Sequence, residues 1–172
     1  MKSIDEVARV LAEARASYAL IGGHAVNLLL EPRFTADIDV TIAADPALAG
    51  VRSALLLAGY RVEREHGAAQ PSGPDFVRYV DDDGTALELQ TAKTALQRSV
   101  IARARNHGGV FVATPEDLII LKAIANRPKD QIDLLGLVRL PNLDWTYIDL
   151  HASDWGVESV LSRIRTLADP VR

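Results

Sequence analysis

Asp37 and Asp39 stand two residues apart in Asp37-Ile38-Asp39-Val40-Thr41-Ile42, where polar and apolar positions alternate. Such alternation makes a strand with one face in the core and the other free to work. The two carboxylates therefore project the same way, with their bases roughly 6.5 Å apart. A second alternating run, Thr85 to Gln90, carries Glu88 and Gln90 on one face against Leu87 and Leu89 on the other. A neighbouring strand of this kind brings Glu88 to about 5 Å from one of the aspartates. Three carboxylates that close repel, and at least one takes up a proton unless a cation neutralises them. Mg²⁺ suits such a set, because it takes a few carboxylates and completes its shell with water and phosphate oxygens. Two such ions would activate an attacking hydroxyl and stabilise a leaving pyrophosphate. The plainer alternative is an Asp-x-Asp pair decorating the wet face of an antiparallel sheet.

Phosphate chemistry is suggested just upstream. Gly22-Gly23 ends the apolar strand Tyr18 to Ile21 and opens a helix over 24–30, so bare backbone amides can approach a phosphate there. Arg33 and Thr35 precede the strand of aspartates, where a guanidinium holds phosphate or fixes a carboxylate. A solvated loop arginine and a turn-ordering threonine would look the same. His24 reads as a helix-start residue with a satisfied ring, ahead of a base or a metal ligand.

The elements that must position these groups follow from pattern. Ser3 and Glu6 form a capping box for a helix over 4–16. Pro32 ends the helix after the glycine pair, and Asp45-Pro46 opens another that carries Leu48, Val51, Leu55 and Leu56 and stops at Gly59. A strand from Tyr60 to Glu65, a loop over Gly67 to Pro74, and a hairpin of Phe76 to Val80 and Thr85 to Gln90 around Asp81-Asp82-Asp83-Gly84 come next. A helix near 92–105 precedes an extended piece, Val110 to Val112. Arg98, Arg103, Arg105 and His107 are then a basic cluster on that helix, a candidate contact for an RNA backbone. Thr114-Pro115-Glu116-Asp117 is a helix start, and Leu118 to Ala125 is apolar on nearly every side. Pro128 breaks it, Lys129 to Val138 resumes as helix, and Asp144 and Asp154 read as caps of two more, the last running to about Leu167. Lys122 falls on the apolar helix, where it either snorkels to the surface or faces an anion. Asp130 and Asp133 share a helix face and can cap it or pair with Arg127 and Lys129.

The chain has 172 residues, 48% apolar and 24% charged, with a formal charge of −4. One domain with a proper core is the expectation, divided into 1–112 and a helical segment 113–172 that completes the site. The balance argues against a protein that grips nucleic acid over its whole surface. Neither a signal peptide nor a membrane span is visible, and the absence of cysteine excludes disulfides and thiolate metal sites. A cytoplasmic location and no membrane partner are expected.

The glycine pair, then Arg33-x-Thr35-x-Asp37-Ile38-Asp39 and a later strand carboxylate, resembles the nucleotidyltransferase fold. The stretch Pro115 to Leu134, with Lys122 and Asp130, resembles the AbiEii/AbiGii-type toxins and their nucleotidyltransferase relatives. The two blocks cover about a third of the chain. The resemblance implies an α+β class, a mixed sheet flanked by helices and followed by a C-terminal helical segment. It also implies that Gly22 and Gly23 contact nucleotide phosphates, with Arg33 and Thr35 beside them. Asp37 and Asp39 would bind Mg²⁺, and Glu88, where aspartate is more usual, would be the third carboxylate and the base. Lys122 would neutralise the triphosphate and Asp130 would close the site.

The activity so implied is metal-dependent transfer of NMP from an NTP to an acceptor hydroxyl, on a tRNA 3′ end or a protein side chain. The chain would then be the toxin of a toxin–antitoxin pair with a cognate antitoxin. A fold relative without catalysis, acting as a nucleotide- or protein-binding module, is the alternative. A small-molecule modifier of the aminoglycoside type shares the same core.

Overall fold

The computed structural model describes residues 3–44, 47–67 and 75–168. The expected helix start at Asp45-Pro46 and all of the expected loop beyond Gly67 lie outside them. The described chain divides into two compact units, one of residues 1–24 and 33–113, the other of 25–32 and 114–172.

The first unit is built on a sheet. Helix α1 (Ile4–Glu13) starts at the Ser3/Glu6 capping box and buries Val7, Val10 and Leu11. Strand β1 (Tyr18–Ile21) leads into helix α2 (Gly22–Asn27), whose last residues belong to the second unit. Then come β2 (Asp37–Ala43), α3 (Ala47–Leu57), β3 (Arg61–His66), β4 (Phe76–Val80), β5 (Ala86–Ala92), α4 (Ala95–Arg103), β6 (Arg105–His107) and β7 (Val110–Val112). The seven strands form one mixed sheet in the order β3-β4-β5-β2-β1-β7-β6. At its centre β2 is parallel to β5 and antiparallel to β1.

Alternation puts Ile38, Val40 and Ile42 of β2, with Leu87 and Leu89 of β5, into the core. The intervening residues of both strands share the opposite face. In the hairpin β4–β5 the Asp81 carboxylate accepts the Thr85 N–H at 2.7 Å, which closes the turn and sets the register on both arms.

The basic cluster is not helical throughout, contrary to the periodicity. Helix α4 ends at Arg103, and Arg105 and His107 lie on β6, antiparallel to β7. The cause is Gly108-Gly109, both at positive φ, which make a two-residue hairpin turn and draw the preceding residues into a strand.

The second unit is helical: α5 (Pro115–Ala125), α6 (Pro128–Leu137), α7 (Trp145–Trp155) and α8 (Glu158–Ala168), together with residues 25–32. Thr114 caps α5, and its hydroxyl donates to the buried Asp117 carboxylate, which also accepts the Tyr147 hydroxyl at 2.6 Å. Leu118, Ile119, Ile120, Leu134, Leu137 and Ile148 are fully buried. Leu30 packs onto Gly136, where a β-carbon would lie 2.5 Å from the leucine methyl. Asp144 caps α7 as expected, its carboxylate accepting the Tyr147 N–H at 3.0 Å. Asp154 does not open the last helix. It sits in the final turn of α7, because that helix runs on to Trp155 and is closed by the Gly156 N–H on the Ala152 carbonyl. Among the described residues no helix is long and apolar enough to cross a membrane.

Candidate functional site

The register of the sheet brings the three sequence-nominated carboxylates together on one face. Asp39 lies directly opposite Glu88 across the parallel pair β2–β5, and Asp37 is two residues earlier on β2. All three are half-buried.

The glycine pair lies against this face. Ile21 of β1 is opposite Asp39, so Gly22 follows immediately beside the carboxylate. A β-carbon built on Gly22 would stand 2.0 Å from Asp39 Oδ2, and Gly22 itself is at φ +69°. Space and conformation both demand glycine there. Gly23 is covered in the same way by Thr35, whose Oγ1 would lie 2.5 Å from a β-carbon. Gly22→Ala is therefore expected to cost at least about 1–2 kcal/mol from backbone conformation alone, with a steric part added. Thermal unfolding should show the double variant Gly22→Ala/Asp39→Gly recovering only the steric part. Full recovery would remove the conformational argument.

Arg33 donates to the Phe34 carbonyl at 3.1 Å, and the Phe34 ring is 90% exposed. His24 has its pKa lowered, first by burial and then by the Arg33 charge, with Asp37 partly offsetting them. Its imidazole is therefore neutral at pH 7.

One residue of this face was missed in the sequence. Arg78 on β4 is opposite Glu88 on β5. Its guanidinium donates through Nη1 to Glu88 Oε1, through Nη2 to Asp37 Oδ1 at 3.2 Å and through Nε to Glu63 Oε2 at 2.8 Å. The signal was present, since Arg78 and Glu88 stand at matching distances from the hairpin turn. Glu63 lies where the β3–β4 register shifts between Val62 and Arg64. Bulges of this kind re-aim a side chain. Burial alone would lower the Arg78 pKa, but its hydrogen bonds to Glu88 and Glu63 and the Asp37 charge raise it, so it is a permanent cation.

Among the described residues no group of three or more His, Asp or Glu side chains is gathered so as to hold a metal ion. The guanidinium already takes up an oxygen of Glu88 and one of Asp37. The donor chemistry nonetheless fits Mg²⁺, since Asp37, Asp39 and Glu88 offer hard carboxylate oxygens only. Asp37 and Asp39 would hold the ion, and Glu88 would join them on leaving Arg78. Beside Glu88 a cleft of about 420 Å³ is lined by Arg64, Glu65, His66 and Phe76, with the Arg64 guanidinium 5.5 Å from the Phe76 ring centre.

Lys122 and Asp130 belong to the second unit and are brought together there. Lys122 Nζ lies 3.2 Å from Asp130 Oδ1 and 2.7 Å from Asp133 Oδ2, and all three side chains are buried. Arg127 adds a bond from Nε to Asp130 Oδ2 at 2.6 Å. The anion that Lys122 faces in the structure is thus supplied by α6.

No protein-family model matches the chain, and no curated protein matches it. Solved structures do. An antigenic nucleotidyltransferase-like protein from Paracoccidioides brasiliensis is 19% identical, with 94% of this chain and 89% of that one covered at a TM-score of 0.55. An H. pylori protein provisionally assigned as a nucleotidyltransferase is 18% identical, with 98% and 82% covered at 0.56. ANT(2″)-Ia in complex with adenylyl-2″-tobramycin is 17% identical, with 96% and 97% covered at 0.52. The chain has the nucleotidyltransferase fold, a mixed α/β architecture.

Proposed function

We propose that this nucleotidyltransferase-fold chain transfers NMP from an NTP to an acceptor hydroxyl. The observation that carries the reading is the register of β2 and β5, which sets Asp39 beside Glu88 with Asp37 on the same face and the Gly22-Gly23 turn against Asp39. In the proposed reaction the acceptor oxygen bonds to the α-phosphorus, the bond from that phosphorus to the bridging oxygen breaks, and pyrophosphate leaves. The hydroxyl proton passes to Glu88, which lines the cleft from which an acceptor would approach. Bound Mg²⁺ would supply neutralisation of the charge on the attacking and leaving oxygens. Gly22, Gly23, Arg33 and Thr35 would hold the phosphates.

The resemblance to AbiEii/AbiGii-type toxins extends the proposal to an acceptor on a tRNA 3′ end or a protein side chain, and to a cognate antitoxin. It also assigns Lys122 and Asp130 to the triphosphate. Their mutual ion pair makes that role testable through the NTP concentration dependence of folded variants. The purified protein, incubated with Mg²⁺, each labelled NTP, total tRNA and a cell extract, is expected to label one acceptor class. Absence of NTP binding by the wild type would overturn the proposal.

A second reading is favoured by one observation, the ion pair that occupies Glu88. A fold relative that binds nucleotide or protein without turnover would keep such a pair permanently. Transfer that disappears in Glu88→Ala excludes this reading, whereas NTP binding without transfer to RNA, protein or a small-molecule hydroxyl supports it.

A further inference from the structure

Arg78 shares its three guanidinium nitrogens among three carboxylates of unequal kind. Glu88 and Asp37 belong to the set that would hold a metal ion, while Glu63 stands outside it on β3. The Glu63 side chain is 47% exposed against 26% for Glu88, so it is the wetter partner. A divalent cation and a guanidinium draw on the negative charge of the same carboxylates, and Glu88 and Asp37 each already give one oxygen to Arg78. The two cations therefore compete. Glu63, delivered by the irregularity in β3, gives the guanidinium an anionic partner that it keeps on releasing the inner two.

We propose that Arg78 is a resident counter-ion that competes with a divalent cation for Glu88 and Asp37, and that Glu63 sets the terms of the competition by holding Arg78 on the outer side. This rests on the metal-binding part of the function proposed above. Arg78 is a positioning residue: it determines where the Glu88 carboxylate points and whether that carboxylate is available. In the closed arrangement the like charges of Asp37 and Glu88 are offset without metal. In the open arrangement the guanidinium rests on Glu63 and the inner carboxylates face a cation.

The test is direct titration of Mn²⁺ into the full chain without nucleotide, followed by electron paramagnetic resonance, for the wild type, Arg78→Gln, Glu63→Gln and Asp39→Asn. Removing an opposite charge at this distance changes the affinity of carboxylates for a cation by about tenfold or more. Arg78→Gln is accordingly expected to bind Mn²⁺ about tenfold more tightly. Glu63→Gln leaves Arg78 only the inner carboxylates and is expected to bind a few-fold more weakly. The gain in Arg78→Gln should vanish when Asp39→Asn is added, which locates the ion. Equal Mn²⁺ affinity in wild type, Arg78→Gln and Glu63→Gln overturns the inference, as does weaker binding by Arg78→Gln. Should Arg78→Gln fail to fold, the half-exposed Glu63→Gln decides alone: weaker binding supports the competition, unchanged or tighter binding overturns it. NMP transfer by the wild type alongside Mn²⁺ affinities indifferent to Arg78 and Glu63 overturns this inference and leaves the transferase reading standing. The predicted affinity order without transfer from any NTP does the reverse.

Discussion

Lys122→Met is expected to destabilise the protein by about 3–5 kcal/mol, because it breaks a buried ion pair from one side. The ammonium serves Asp130 and Asp133 together, and the side chains are 6%, 0% and 2% exposed. Methionine fills much of the same volume, so what is lost is charge compensation rather than packing. Urea denaturation at neutral pH measures it, and a loss below about 1 kcal/mol would place the pair among the weak exposed ones. The acid range adds a second signature. Burial by itself would push the Asp130 carboxyl up, yet the Arg127 hydrogen bonds and the Lys122 charge hold it below the ordinary aspartate value. A carboxyl depressed in the folded state contributes fully above its unfolded pKa and loses that contribution as the pH falls through its folded value. The gap between wild type and Lys122→Met should therefore be widest near neutrality and narrow below about pH 4.

The second large effect is on the proposed reaction. Asp39→Asn is expected to lower Mg²⁺-dependent NMP transfer by about 10²–10³-fold, on the scale of removing an electrostatic group aimed at developing charge. Asparagine keeps the shape that lies over Gly22, so the fold should hold and unfolding should stay within a few degrees of wild type. The charge opposite Glu88 is what disappears. Single-turnover labelling from NTP, paired with thermal unfolding, separates the two. Transfer within threefold of wild type would remove Asp39 from the site.

Much of this geometry was legible because it is local. Alternation in 37–42 and 85–90 determines which side chains share a face, and the Asp81–Gly84 turn fixes the β4–β5 register. The same turn also carried a signal that went unread, the Arg78–Glu88 pair, since strand residues at matching distances from a hairpin must meet. Glu63 was out of reach: an irregularity in a strand pairing depends on the partner strand, not on the residues that carry it. Periodicity also failed at Arg105–His107, where three residues are too few to show a period and the decisive signal was the glycine pair that follows. For Lys122 the pattern required an anion or a route to solvent, and it was tertiary packing of α5 on α6 that chose Asp130 and Asp133. Placing Ala25–Pro32 with the helices of 114–172 needs contacts across more than a hundred residues, such as Leu30 on Gly136.

That excursion has a consequence for the order in which the protein is made. Chains emerge from the ribosome at about 5–20 residues per second, and segments pair as their partners appear. The sheet has all its strands once residue 112 is out, but Ala25, Val26 and Leu30 have by then been waiting since the first moments of synthesis. For several seconds the nascent chain carries an apolar stretch with no completed core to enter, which makes it a natural landing place for a chaperone. A break after residue 113 would make that interval permanent, so residues 25–32 are best met by 114–172 on the same chain.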